Sequence, residues 1–298
     1  MTHAKATAQA GAPEGPPRDA GPALRSYGRI ALLALLLVLA YHEFLAWMLE
    51  QWQRDPHYSH GCLIPLISAY LIYRRWPRLA GLPQTGHGWG LWLIIGGSLL
   101  NLGALLYGAH FPSGFALITV MYGLVIWLWG WPRARALIFP LAFLFFMVPM
   151  ARLLVDKFAL PMQLFSAHGA AGLAGAFGMP NQVDGVSILT RDYAFEVAIP
   201  CSGLQSVIAM SALGALVAFL LAGPAWKRWV LFAASLPLAV VANILRIFVT
   251  LVLGNSMGPA VAEGFFHSAS GALVFVLAFT GLLLLGGVLG CRQMRADI

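Results

Sequence analysis

Apolar runs of membrane-spanning length recur along the chain, and no other feature narrows its possible folds so far. In hydrocarbon every backbone N–H and C=O must be paired within the protein, which leaves helices or closed barrels. A helix needs roughly 20 apolar residues to cross. Such runs fall at 30–49, 61–73, 88–108, 114–131, 136–150, 202–222, 229–253 and 265–289. The second is short, so its span is expected to start within HYSHG and to stop at Arg74-Arg75. Of the 298 residues 60% are hydrophobic and 10% charged, where a soluble domain carries about 25% charge. The expected fold class is an all-α polytopic membrane protein with about eight transmembrane helices.

The remaining stretches are read by contrast with these runs. Residues 1–27 are rich in Ala, Gly and Pro and aperiodic, and are expected to form a disordered tail with no cleavable signal. The membrane domain is expected over 28–290, with a second short tail at 291–298. Residues 153–178 carry Asp156, Lys157, Gln163 and His168 among small residues, which suits an amphipathic helix lying at the interface before the sixth span. Residues 181–199 alternate, with Tyr193, Phe195, Val197 and Ile199 on one face, and predict an extracytoplasmic β-hairpin turning near Arg191-Asp192. Three widely spaced cysteines, Cys62, Cys201 and Cys291, form neither a disulfide framework nor a zinc site. The tails and the loops at 74–78, 132–135 and 227–228 hold 13 of the 18 Lys and Arg residues. That bias makes both termini cytoplasmic and explains the net charge of +7 without nucleic acid. A spanning 153–178 would put Lys227-Arg228 outside, against the same rule.

The chemistry concentrates in FEVAIPCSGLQSVIAM, residues 195–210. An extended segment runs into Pro200, Cys201, Ser202 and Gly203, then into an apolar helix. A cysteine at a helix mouth faces unpaired N–H groups and the positive end of the dipole, which bias it toward thiolate. In the expected topology Arg246 lies about 10 Å below the outer end of span seven. His267 falls in the first turn of span eight, so Cys201, Arg246 and His267 come out near one depth. An arginine inside a span normally faces a polar cavity or a partner. It cannot act as a base, but it can stabilise an oxyanion, while a histidine can take the thiol proton and return it to a leaving amine. The set suits acyl transfer through a thioester. Asn243, three residues before Arg246 on the same face, either holds a neighbouring helix or joins the site.

In these stretches the chain resembles the exosortase/archaeosortase family, on its bacterial exosortase side. The likeness is carried by DPHYSHGCLIPLISAYLIYRRW at 55–76, FPLAFLFFMVP at 139–149, PCSGLQS at 200–206, NILR at 243–246 and FFH at 265–267. The resemblance implies a membrane-embedded cysteine transpeptidase with Cys201, Arg246 and His267 as its catalytic set. It further implies substrates with a C-terminal Pro-Glu-Pro sorting signal, a link to exopolysaccharide and biofilm proteins, and a site facing the periplasm from the cell inner membrane. With so few residues after its last span, the chain is expected to lack the fused periplasmic domain of some members. No cofactor or metal is expected, and the acceptor of the acyl group stays open.

Supporting roles fall on the neighbours. Ser202 and Gly203 belong to the cysteine turn. Glu196 either orients His267 or Arg246 or is solvated. Ser59 and His60, in the SHG segment, suit a structural or substrate-lining place, with Ser59 capping span two and Cys62 in packing. Acidic residues on the outer side would repel an acidic motif, which leaves Arg246, Arg152 and Arg191 as anchors. Two rival readings remain at this point. One is a non-catalytic membrane component of polysaccharide export, and the other an intramembrane cysteine protease in which water resolves the thioester.

Overall fold

The computed structural model describes residues 21–191, 194–258 and 265–295, with backbone alone at several positions within them, among them 21–27 and 265–270. Its elements run α1 Gly21–Ala40, α2 His42–Arg54, a 3₁₀ turn Pro56–Cys62, α3 Leu63–Gly81, α4 Trp89–Leu106 and α5 His110–Phe143. There follow α6 Arg152–Ala176, strands β1 Asn181–Asp184, β2 Ser187–Thr190 and β3 Ala194–Glu196, a 3₁₀ turn Ile199–Cys201, α7 Leu204–Leu220, α8 Ala225–Met257 and α9 Phe265–Val288. The chain divides into two units, 1–42 and 43–298. The first contributes α1, which begins within the stretch expected as tail. Everything below concerns the second.

Among the described residues three helices are long and apolar enough to cross a membrane, and a bent pair over 28–54 raises the number to four. The helices Leu204–Leu220 and Leu273–Val288 are apolar but shorter. The expected count of about eight is therefore not met by length and composition. One of the three, His110–Met147, is composite. Gly130 breaks it with φ 80° and ψ 179°, a conformation that side-chain-bearing residues avoid, and Pro132 opens the next turn where its missing N–H costs nothing. The rings of Phe115 and Phe145 lie 4.4 Å apart, whereas thirty helical residues in line would separate them by about 45 Å. The chain reverses at Gly130, between the two apolar runs read from the sequence at 114–131 and 136–150.

Small residues bring the helices close. A Cβ on Gly97 would meet Val120 and the Ala116 carbonyl, and one on Gly123 would press on the Gly90 carbonyl at 2.9 Å, so α4 and the first arm of α5 touch through backbone, as membrane helices do. Along α6, Gln163, Ser166, Ala167, Ala170, Ala171 and Ala174 are buried at helical spacing. Its other side shows Leu153, Phe158, Leu160, Phe165 and Phe177 outward. The alanine stripe packs on Ile247 and Leu251 of α8 and on Ile188, Phe195 and Val197 of the sheet.

The sheet corrects the expected hairpin. It has three antiparallel strands, β1 against β2 and β2 against β3, with Asp184 opposite Ser187 and Ile188 opposite Phe195. The first reversal is the two-residue turn Gly185-Val186, with φ 58° at Gly185, the glycine-first pattern of a tight hairpin. Residues 191–193 form the second link, and the expected turn residue Asp192, with Tyr193, lies outside the described residues. Phe195 and Val197 face inward as expected, but Ile199 is 47% exposed because the alternation ends where the 3₁₀ turn begins.

The basic loops converge at the end of α7 away from Cys201. Arg75 donates to the Ala136 carbonyl at 2.7 Å, and Lys227 to the Leu289 carbonyl at 2.6 Å. The Arg75 guanidinium lies 4.6 Å and that of Arg295 5.5 Å from the Phe219 ring. α7 has 17 residues, so this end is about 25 Å from the cysteine.

Candidate active site

Cys201 closes the 3₁₀ turn that follows the sheet and is 4% exposed. Its N–H bonds the Ala198 carbonyl at 2.8 Å. Two residues later Gly203 takes φ 90°, ψ −5° as the N-cap of α7. A Cβ there would lie 2.8 Å from the Asn243 Nδ2, so glycine is required twice over, by conformation and by space. Ser202 is fully buried, and its Oγ accepts from the Leu204 N–H at 3.2 Å, satisfying one of the orphan donors of the helix start.

Three side chains from two other helices hold this turn. From α8, Asn243 Nδ2 donates to the Cys201 carbonyl at 3.0 Å and to Ser166 Oγ at 3.2 Å. From α6, Ser166 Oγ donates to the Ser202 carbonyl at 3.2 Å, and Gln163 Nε2 to the Val197 carbonyl at 2.7 Å. Asn243 thus makes both contacts that the sequence left open, one to a neighbouring helix and one to the cysteine turn. Its Oδ1 is buried without a hydrogen-bond partner among the described residues. Gln163 and Ser166 were missed: polar residues at 163 and 166 signalled only an interfacial helix. Their register with Ala167, Ala170 and Ala174 was the available sign that they point inward.

The electrostatics revise the expected thiolate. Cys201 is not itself the helix cap, and burial pushes its thiol up, with the nearby Arg246 charge pulling the other way without overcoming it. Burial thus works against the thiolate at this sulfur. Arg246 is half-buried on α8. Its guanidinium carbon lies 3.9 Å from where a Cβ on Gly271 of α9 would sit. Position 267 is one turn before Gly271, on the same face of α9. The side chain of His267 is outside the described residues, so the third member of the expected set is placed by its backbone alone.

The other expected residues sit on neighbouring elements. Glu196 is exposed on the strand face opposite Phe195 and Val197. Ser59 does not cap α3, whose N-cap is Cys62 without a side-chain cap; the 3₁₀ turn simply continues into the helix. The Cys62 thiol, exposed, donates to the Ser59 carbonyl at 3.3 Å. His60 has a buried Nε2 with no hydrogen-bond partner among the described residues. A Cβ on Gly61 would strike the Trp52 indole, whose N–H reaches the Met147 carbonyl at 2.9 Å. The SHG segment, in the 3₁₀ turn Pro56–Cys62, packs on α7 as well as on α3. Among the described residues no three His, Cys, Asp or Glu side chains converge as metal ligands.

Comparison with known proteins covers both regions. No curated protein and no solved structure shows significant similarity to the chain. A family model described as transmembrane exosortase (Exosortase_EpsH) matches residues 52–284. The match takes in more than three quarters of the chain, from α2 through the cysteine turn and Arg246 to α9, and on that extent the chain belongs to the transmembrane exosortase family.

Proposed function

We propose that the protein is a membrane cysteine peptidase and transpeptidase that cuts C-terminal Pro-Glu-Pro sorting signals through a thioester on Cys201. The observation that carries this reading is a buried cysteine under the influence of the Arg246 charge, on a turn fixed by Asn243, Ser166 and Gln163. A nucleophile must be held to within fractions of an ångström to gain the advantage of proximity, and a turn bonded from two helices meets that need.

The steps follow from the residues. His267 takes the Cys201 proton as Sγ attacks the scissile carbonyl carbon. Negative charge moves to the carbonyl oxygen, where Arg246 stabilises it. The tetrahedral species collapses, the C–N bond breaks, and His267 returns the proton to the leaving amine. The amine of an acceptor then attacks the thioester and restores the thiol. Asn243 Oδ1, buried and without a partner, offers an acceptor for a substrate N–H next to the nucleophile. In this reading about eight spans enclose the site, α6 lies along the periplasmic interface, and both termini are cytoplasmic in the cell inner membrane.

The test is co-expression with a protein bearing a Pro-Glu-Pro signal, followed by mass analysis of its new carboxyl end. A cut with an added acceptor mass supports transpeptidation, and a free carboxylate supports hydrolysis. Cys201→Ala and Cys201→Ser should leave the substrate whole, because a hydroxyl is far harder to deprotonate than a thiol. Processing that survives in Cys201→Ala and stops in Cys62→Ser would move the nucleophile and end this reading.

A further inference from the structure

The small sheet ends in β3, which pairs with β2 alone among the described strands. The register fixes which backbone groups that pairing uses. In an antiparallel pair each residue turns its N–H and C=O to one side, and its neighbours turn theirs to the other. The Val197 N–H donates to the Val186 carbonyl at 3.0 Å, so Val197 and, two residues earlier, Phe195 face β2. Ser187 gives the same answer from the other strand. It stands opposite Asp184 at the two-residue turn, so its backbone groups face β1, and its partner on β3 is Glu196. Ala194 and Glu196 therefore turn their N–H groups away from β2, to the side where the described sheet has no further strand. The Ala194 carbonyl turns the same way, while that of Glu196 accepts from the Ala198 N–H at 2.9 Å.

A sheet edge is a template for another strand, and proteins that avoid such pairing blunt the edge with proline, a bulge or a cover. β3 contains no proline, and Ala194 and Glu196 are exposed on either side of the buried Phe195. The edge also leads to the site. Val197, fully buried, follows directly, and its carbonyl takes the Gln163 bond that ties the strand to α6 at 2.7 Å. Four residues beyond it the chain reaches Cys201. The opposite edge, on β1, runs beside α6, where Asn181 Nδ2 donates to the Ala171 and Met179 carbonyls at 3.1 and 2.9 Å. It is two strand spacings, about 10 Å, from β3. Of the two edges, β3 is the one continuous with the cysteine turn.

We infer that β3 binds the substrate by strand addition: an extended segment near the scissile bond lies along β3, exchanges both backbone hydrogen bonds with Ala194 and accepts from the Glu196 N–H. The inference rests on the peptide cleavage proposed for Cys201. Under that reading the signal has the shape the edge requires. Proline fixes its own φ and pushes the residue before it to extended backbone, so Pro-Glu-Pro runs extended. Its one N–H, on Glu, shares a side with the Glu carbonyl and stands opposite Ala194. Both prolines, with no N–H to give, turn to the far side, where an edge strand tolerates them. Main-chain bonds supply the affinity in such pairing, so the acidic side chain of the signal needs no basic partner on β3.

The experiment measures binding of a dye-labelled synthetic peptide, one Pro-Glu-Pro flanked by serine and alanine, to the full chain in detergent. Fluorescence polarisation is read on Cys201→Ala, so that cutting does not interfere, and cutting is followed separately with the parent chain. N-methylation of the peptide's Glu should weaken binding roughly tenfold, the upper end of the net worth of a backbone hydrogen bond. N-methylation three residues away, on the side turned from β3, should leave it unchanged. On the protein, Glu196→Pro removes an outward N–H and leaves the ladder to β2 whole. It should bind roughly fivefold more weakly than Glu196→Ala, which keeps that N–H, at a similar thermal midpoint. If Glu196→Pro lowers the midpoint, the N-methyl series decides alone, since it leaves the strand untouched. Equal effects at the two N-methyl positions overturn strand addition. So does a peptide that fails to bind, or one held alike by Glu196→Pro and Glu196→Ala. A peptide bound with the expected pattern but left whole by the parent chain would sink the Cys201 chemistry and uphold the binding mode.

Discussion

A buried thiol beside a guanidinium answers to two opposed forces. Desolvation disfavours the thiolate and the positive charge favours it, and at Cys201 desolvation is the larger. With Cys62 and Cys291 replaced by Ser, alkylation of Cys201 by iodoacetamide should therefore rise with pH to a midpoint above the ordinary thiol range. The sign for Arg246 follows directly. Arg246→Ala removes an influence that lowers the thiol, so its midpoint should move further up and alkylation at neutral pH should slow. Arg246→Lys keeps the charge and should hold the midpoint near that of the parent, yet a point charge cannot offer the forked donor that an oxyanion accepts. Acyl transfer in both variants should fall by about 10² to 10³, the usual loss of one oxyanion donor. An unchanged midpoint in Arg246→Ala would show that the guanidinium does not act on the thiol.

Between the sheet and α7 the chain makes its tightest joint, and Gly203 is its pivot. Alanine there faces a positive φ and the Asn243 amide at 2.8 Å, so Gly203→Ala should cost more than the ~1–2 kcal/mol of the backbone conformation alone, seen as a lower thermal midpoint and lost processing. Gly172 is the control: it is exposed within α6 and a Cβ would meet nothing within 4 Å, so Gly172→Ala should stabilise by up to ~1 kcal/mol. Equal effects in the two would mean that the turn is not rigidly held. Much of this joint was legible in PCSGLQS, because an extended run, a proline and a glycine before an apolar helix define a strand-to-helix turn. The clamp was not. Gln163, Ser166 and Asn243 meet Val197, Ser202 and Cys201 only because three distant segments pack together, and no local periodicity encodes that meeting. The earlier reversal at Gly185-Val186 was hidden in the same way, since four-residue strands carry too little alternation to mark a turn between them.

On the scale of the whole molecule, the two ends of α7 differ in kind. One end holds a cysteine turn under a small sheet; the other gathers Arg75, Arg78, Arg228 and Arg295 from three separate stretches of sequence. The sequence assigns those stretches to one side by counting Lys and Arg, and folding brings the same groups within reach of Phe219, which an inverted placement of 153–178 would not do. The reversal at Gly130 makes two arms of what helix length alone reads as one. The proposed orientation can then be checked residue by residue in intact cells, in a background with Cys62 and Cys291 replaced by Ser. Tyr107 and Ser256 are exposed at helix ends on the side of the cysteine turn, and Trp76 and Trp226 are exposed at the arginine end. A single cysteine at 107 or 256 should react with a membrane-impermeant maleimide added outside, and one at 76 or 226 should react only after the membrane is permeabilised. The four positions sample loops on both sides of α6. Labelling of 226 together with 107 in intact cells would mean that α6 crosses the membrane, and Cys201 with the start of α9 would then face the cytoplasm.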